Sequence, residues 1–253
     1  MKTDKIFYTP TIQPNDTIFT LNEEESSHAI KVLRMKTNDE VTLIDGIGGV
    51  YEGTIVNPHH KRCEIEIKQY TKEFEKREFY LHIAIAPTKM NERMEWFLEK
   101  CTEIGIDEIT PILCHHSERK ELKIERMNKI IISAMKQSKK AYLPRLNEMT
   151  PIKTLVENAT EEELYIAHCH QGEKIKLTQA SSKKSILIMI GPEGDFSHEE
   201  ILLANQNGFK SCTLGKSRLR TETAGIVACH TTNLINDSIF SERNTINNLH
   251  FTK

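Results

Sequence analysis

From Phe79 onward the sequence predicts an α/β fold, a mostly parallel sheet covered by helices, with a small all-β segment before it. Three observations carry this. Strand-like and helix-like stretches alternate after Phe79. Strand-like runs such as SILIMI at 185–190 are almost wholly apolar, as parallel strands buried on both faces are. The first 70 or so residues instead hold short β-rich runs broken by turns.

In the N-terminal part, Ile18 to Leu21, Glu40 to Ile44, Val50 to Val56 and Cys63 to Ile67 read as strands. Asp45-Gly46-Ile47-Gly48-Gly49 reads as a turn between two of them, and Glu23 to Leu33 as a helix. The charged stretch Lys72 to Glu78 reads as a linker, so the expected domains are 1–72 and 73–253.

In the larger part, FYLHIAIA at 79–86 is the first strand. Asn91 to Ile104 is a helix with Met94, Phe97, Leu98, Cys101 and Ile104 on one face, and Gly105 ends it. Ile109 to Leu113 is a strand, and Lys123 to Lys139 a helix whose inward stripe is Ile124, Met127, Ile131, Ala134, Met135 and Ser138. Leu164 to Cys169 and Ser185 to Ile190 are buried strands. Ser197 and Glu200 form a capping box that opens a helix stopping at Gly208. Ser211 to Leu214 is a strand, and a last helix begins at Thr221, which is placed as its N-cap.

The chain has 253 residues, 38% hydrophobic and 28% charged, enough for one large or two smaller globular domains. Its start, MKTDKIFYTP, lacks the pattern of a secretory leader, and its longest clean apolar run, Ile186 to Ile190, is strand-sized. Six scattered cysteines without a C-x-x-C pair read as free thiols of a reducing cytoplasm. The net charge of −2 gives no hint of a polyanionic partner, but its distribution does. Residues 118–145 carry nine Lys or Arg against three Glu, and residues 210–220 hold Lys210, Lys216, Arg218 and Arg220 with no acid.

Two loops concentrate the chemistry, both at the C-terminal ends of strands, where open α/β sheets bind ligands. One is Gly191-Pro192-Glu193-Gly194-Asp195-Phe196. The other runs from Leu214 to Ala224, LGKSRLRTETA. Glycine admits close approach of backbone to a ligand, and the amides at a helix start are free donors. Neither phosphate-loop nor dinucleotide-fingerprint spacing is present.

GPEGDFSHEE followed by LGKSRLRTETA resembles the paired signature of the ribosomal RNA small-subunit methyltransferase E family, within the SPOUT superfamily. SSHAIKVLRMKTNDEVTLIDGIGG is similar to that family's N-terminal segment, with His28, Val32, Leu33 and Arg34. PTKMNERMEWFLEKCTEIGIDEITPI is similar to its first strand–helix–strand unit, with Lys89 and Glu103, and MKQSKKAYLPRL to its Gln-Ser helix end. The family usually has a second glycine where Asp195 stands and an arginine where Ser217 stands.

The resemblance implies what pattern alone does not. Residue patterns predict an ordinary open sheet, since knots are nearly absent from proteins. The family implies a SPOUT-type parallel sheet with a C-terminal trefoil knot, preceded by a PUA-like β-barrel. It implies a homodimer that binds S-adenosylmethionine in the knot and methylates N3 of a uridine in 16S rRNA of the small ribosomal subunit.

Uridine N3 must lose its imide proton before it attacks a methyl sulfonium, and the resulting negative charge spreads onto two carbonyl oxygens. Arg220 is the expected stabiliser of that charge. Glu222 is expected either to accept the proton or to orient Arg220. Gly191, Glu193, Gly194, Leu214, Gly215, Leu219, Thr221, Thr223 and Ala224 are assigned to the cofactor, and His28, Arg34, Lys89 and Arg218 to RNA.

No metal is expected. His59-His60 and His115-His116 are adjacent pairs, which point to opposite faces of a strand, and His168 with His170 completes no ligand set. The competing functions are methylation of another RNA or of ribose 2′-oxygen, or RNA binding by an assembly factor without catalysis; the intact Leu219-Arg220-Thr221-Glu222-Thr223-Ala224 argues for the enzyme. Finally, on the helix over 123–140, Arg126, Lys129, Lys136, Lys139 and Lys140 fall outside the apolar stripe, with only Glu125 placed to pair within the helix. An unneutralised cationic row predicts contact with RNA phosphates.

Overall fold

A computed structural model describes residues 1–180 and 184–250, with side chains of the last helix through Asp237. The strands are β1 (Ile6–Tyr8), β2 (Ile18–Thr20), β3 (Glu40–Ile44), β4 (Val50–Asn57), β5 (Glu64–Thr71), β6 (Tyr80–Ile85), β7 (Glu108–Leu113), β8 (Arg145–Leu146), β9 (Thr150–Pro151), β10 (Glu163–Ala167), β11 (Ile175–Lys176), β12 (Ser185–Ile190) and β13 (Lys210–Thr213). The helices are α1 (Glu23–Ser27), α2 (Asn91–Ile104), α3 (Ile124–Gln137), α4 (Ile152–Asn158), α5 (His198–Gln206) and α6 (Thr221–His250).

The chain forms two compact units. One comprises residues 1–76 together with 132–143, and the other residues 77–131 and 144–253. A contiguous division at 72/73 leaves 132–143 to the second unit, whereas their packing assigns them to the first. Met135 and Ala141 are buried there with Ile6, Ile44 and Val50. Tyr142 also fills the space above the 45–49 turn, so a Cβ at Gly48 would lie 2.3 Å from its ring. The turn itself is built by Asp45, whose Oδ1 accepts from the amides of Ile47 and Gly49, each at 2.8 Å.

In the first unit five strands lie in the order β1-β3-β4-β5-β2 around a core of Phe7, Leu21, Leu43, Tyr51, Ile55 and Ile65. The pairing is antiparallel except between β1 and β3. The expected helix over 23–33 is α1 followed by one wider, π-type turn from His28 to Val32. This turn carries His28, half-buried, while Arg34 beyond it is exposed at φ 55°.

The second unit holds a sheet in the order β11-β13-β10-β12-β6-β7-β8, with β9 added on β7, and every pairing in it is parallel. Alternation along β6 sends Ala84 to a core shared with Leu187, Phe196, Ile201 and Val156, the α4 and α5 side. Ile85 points the other way, toward α6, where its Cδ1 lies 3.1 Å from the position a Cβ on Gly225 would take. Gly225 of α6 meets Phe97 of α2, whose ring lies 2.5 Å from that same position. A side chain larger than hydrogen does not fit at 225.

Candidate active site

The order β13-β10-β12 brings three C-terminal strand ends side by side, and a cavity of about 590 Å³ opens among the loops that follow them. The loop after β12 contributes Gly191, Pro192, Glu193 and Asp195. The loop after β13 contributes Leu214 to Arg220 and runs into Thr221 and Ala224 of α6. The loop after β10 contributes His168, Cys169 and Lys174.

Hydrogen bonds fix these loops to one another. Thr221 donates its hydroxyl to the Gly191 carbonyl at 3.1 Å, joining the two glycine-bearing loops. Thr221 is therefore not the N-cap expected for α6. It lies inside the first turn, and the carbonyl of Arg220 accepts from Ala224 N at 2.8 Å. Asp195 sits at φ 64°, the left-handed region that glycine occupies freely and aspartate better than most residues. Its carboxylate accepts from Cys169 N at 2.8 Å and Phe196 N at 2.9 Å, so the side chain ties the β12 loop to the β10 loop. His170 meets the Phe196 carbonyl at 2.8 Å and His116 the Asp195 carbonyl at 3.0 Å. Gly215 has φ 135° and open space around it, so backbone conformation alone requires glycine there.

Of the residues expected at the cofactor, Gly191, Glu193, Leu214, Gly215, Leu219, Thr221 and Ala224 line the cavity, and so do Arg218 and Arg220. Gly194 and Thr223 do not. Gly194 instead packs on His116, where a Cβ would lie 3.0 Å from the histidine Cβ. Glu193 also accepts from the Lys89 amide at 3.1 Å, while the Lys89 ammonium pairs with Glu118 at 2.9 Å. Arg220 is exposed at the cavity. Glu222 is outside the cavity lining, with its side chain 5% exposed and Oε1 3.7 Å from Arg93 Nε. Its ion partner is thus Arg93 from α2, not Arg220, and its second oxygen has no hydrogen-bond partner among the described residues.

Sequence reasoning missed the contribution of the β10 loop, because it weighed His168 and His170 only as metal ligands. Burial, and after it the charge of Lys174, hold the His168 imidazole below its ordinary pKa. Burial also pushes the Cys212 thiol, in the cavity wall, up to about 12, so it stays protonated and is no nucleophile. Among the described residues no three His, Cys, Asp or Glu side chains are grouped to hold a metal ion. The adjacent histidines do not point to opposite faces of a strand. His59-His60 and His115-His116 lie in turns rather than strands, so each pair of rings is in contact, with centroids 4.9 and 4.8 Å apart.

The helix expected to reach 139–140 ends at Gln137, with Lys139 at φ 56° in the turn beyond it, and the cationic row along α3 and that turn is not unneutralised. Arg126 pairs with Glu95 at 2.7 Å, Lys136 with Glu25 at 2.7 Å and Lys139 with Asp4 at 2.5 Å, and Lys140 has interactions of its own. The acids come from other elements, beyond the reach of a rule about neighbours within one helix. Lys129 is exposed and has no ion pair among the described residues, its expected one with Glu125 included. No helix among the described residues is long and apolar enough to cross a membrane.

Comparison with known proteins agrees with this geometry. Residues 75–233 match the model of an RNA methyltransferase domain, and residues 21–68 that of an RNA methyltransferase PUA domain. A ribosomal RNA small subunit methyltransferase E from Buchnera aphidicola is 30% identical over 90% of this chain and 91% of its own. The crystal structure of a probable rRNA-methyltransferase from Porphyromonas gingivalis is 38% identical, with a TM-score of 0.86 over 93% of this chain and 99% of that one. A ribosomal RNA small subunit methyltransferase E from Neisseria gonorrhoeae, bound to S-adenosyl methionine, is 25% identical, with a TM-score of 0.83 over 91% and 97% of the two chains. With its PUA segment, its all-parallel sheet and its loop-lined cavity, the chain belongs to the RNA methyltransferase family that includes the small-subunit methyltransferases E.

Proposed function

We propose that this chain moves a methyl group from S-adenosylmethionine to N3 of a uridine in 16S rRNA of the small ribosomal subunit, as a cytoplasmic homodimer. One observation carries the reading. The cavity at the ends of β10, β12 and β13 is lined by Leu219, Arg220, Thr221 and Ala224 of the LRTETA segment, in a chain of the RNA methyltransferase family.

The cavity fits the cofactor in size and chemistry. Gly191 and Gly215 leave backbone open to a ligand, and Leu214, Leu219 and Ala224 supply apolar surface for a purine. When bound, S-adenosylmethionine supplies an electrophilic methyl group. The protein's own part is to hold the uracil and stabilise the charge released when N3 loses its proton. Arg220, exposed and free to swing toward a substrate, is placed for the second task. Glu222, buried beside Arg93, fits support of the α6 start better than proton acceptance, because it does not reach the cavity. The trefoil knot and the PUA-like grip on RNA, with contacts from His28, Arg34, Lys89, Lys129 and Arg218, belong to the same reading. Trp96 on α2 and Leu234 on α6, 45% and 61% exposed on two helices that pack together, support a face covered by a second copy.

Small subunits lacking the modification, incubated with the protein and labelled S-adenosylmethionine, should yield N3-methyluridine on digestion and chromatography. Label recovered as a 2′-O-methyl nucleoside would overturn the N3 assignment, and no transfer to any RNA would overturn the enzyme. Cofactor affinity should be the same with and without a chelator.

A further inference from the structure

We infer that the loop joining β4 to β5 carries a stacking platform for an unpaired RNA base, formed by His59 and His60 and flanked by Lys31 and Arg62; this rests on the RNA-methylating function proposed above and names a second place where the RNA is held. The two imidazoles stack on each other, with centroids 4.9 Å apart and planes 27° apart. Stacking uses one face of each ring. His59 is exposed and His60 half-buried, so the pair ends in a flat face turned to solvent.

The loop holds this pair in place by its own hydrogen bonds. Asn57 Nδ2 donates to Glu64 Oε2 at 3.2 Å and joins the loop's two ends, and Cys63 N donates to Ser26 Oγ at 3.0 Å and pins the loop to α1. Within it, His59 N donates to the Asn57 carbonyl at 3.0 Å, Arg62 N to the His59 carbonyl at 3.1 Å, and Lys61 N to His59 Nδ1 at 3.2 Å. None of these bonds occupies a ring face. Rings fixed in a tied loop lose little freedom when a base settles on them.

The chemistry of the partner follows from the charges around the rings. Partial burial, then Lys31, His59 and Lys61, hold the His60 imidazole below its ordinary pKa against the pull of Glu23, so at neutral pH the ring is an uncharged π surface. Glu23 itself is neutralised by Lys61 at 3.1 Å. Lys31 and Arg62 are exposed and have no ion pair among the described residues. A flat face beside two unpaired cations matches a nucleotide, whose base stacks while the phosphates on either side meet the cations. Bases within a duplex are already stacked, so the partner is single-stranded or looped-out RNA. An acidic protein surface would satisfy Lys31 and Arg62 and leave the rings unused.

The test is binding of the full chain to a short single-stranded oligoribonucleotide carrying 2-aminopurine, whose fluorescence falls when the base stacks, and to the same strand in a duplex. Wild type should prefer the single strand and quench the probe. His59→Ala combined with His60→Ala should weaken single-strand binding about tenfold and abolish the quenching, with the salt slope unchanged. His59→Phe combined with His60→Phe keeps two flat rings and should recover most of both effects. It loses the same Nδ1 bond as the alanine pair, so it also controls for folding of the loop. Lys31→Ala combined with Arg62→Ala should instead lower the slope of log affinity against log salt by about two. Full affinity in the alanine pair overturns the inference. So does a phenylalanine pair that binds no better than the alanine pair, or an equal loss on the duplex. A wild type that binds neither probe yet methylates small subunits overturns the inference alone, and one that neither binds nor methylates overturns the proposed function with it.

Discussion

Replacing Lys136 by methionine separates two roles that a cationic helix face can play. The methionine keeps the apolar stem and removes the charge. In the folded chain the Lys136 ammonium lies 2.7 Å from Glu25 and 5.8 Å from the centre of the Phe7 ring, and the ion-paired side chains are only 23% and 13% exposed. An exposed pair contributes up to about 1 kcal/mol, and breaking a fully buried one by removing one partner costs about 3–5 kcal/mol. At this depth the loss should be about 1–2 kcal/mol, mostly from leaving the Glu25 carboxylate enclosed without a counter-charge. Urea denaturation of the single variants Lys136→Met and Glu25→Gln and of the double variant should give a coupling energy of about 1 kcal/mol. Lys129→Glu, at an exposed lysine without an ion pair among the described residues, should leave the denaturation midpoint in place. It should raise KM for ribosomal substrate and lower the slope of log affinity against log salt by about one. Additive effects of Lys136→Met and Glu25→Gln would refute the structural role of Lys136, and an unchanged salt slope would remove Lys129 from the RNA interface.

Three further outcomes are expected. Arg220→Ala should bind S-adenosylmethionine as wild type does while kcat falls by about 10²–10³, read by single-turnover transfer to small subunits. At Asp195, the left-handed backbone and the bonds from Cys169 N and Phe196 N oppose each other's replacements: Asp195→Gly loses the two bonds alone, about 2 kcal/mol, and Asp195→Ala loses them and adds strain, about 3 kcal/mol in all, by thermal unfolding. Burial raises the pKa of Glu161, but the His82 hydrogen bond and charge outweigh it and hold the carboxyl below its ordinary 4.5. A lowered folded value means stability that is present above pH 4.5 and is lost as pH falls through that folded value, so Glu161→Gln should flatten the acid side of the stability curve.

Regular, locally encoded elements were legible in the sequence. The 3.6-residue stripe of α2, its stop at Gly105 and the largely apolar β12 were read at their observed bounds, and the Ser197–Glu200 capping box forms as expected. What escaped depends on distant residues. Strand β1 is three residues long and exists because Thr42, Leu43 and Ile44 pair with it. The two-residue β8 and β9 are likewise defined by β7. Helix α4 follows Pro151 with no side-chain cap to announce it. In the site, both glycine-bearing loops were legible because glycine and the LRTETA segment are local signals. The part played by the β10 loop was not, because His168 lines the cavity only when the sheet order sets β10 between β12 and β13. Likewise Glu25 and Glu95 neutralise α3, and Asp4 the turn after it, from far along the chain, where no spacing rule could pair them.

The return of residues 132–143 to the first unit has a consequence for the order in which the molecule can be made. A chain emerging from its N-terminus presents β1 to β5 long before Met135, Ala141 and Tyr142 exist. Until they arrive, the apolar side of Ile6, Ile44 and Val50 is bare and the niche over Gly48 is empty. By then β6, α2 and β7 have also been synthesised, yet their sheet still lacks β10, β12 and β13. The first unit therefore cannot finish until part of the second has been made. Domain-by-domain maturation, the usual route for a growing two-domain chain, gives way here to an interleaved one. A nascent chain stalled after residue 76 should be cut by protease within the 45–49 turn, and one stalled with residue 143 clear of the ribosome should resist.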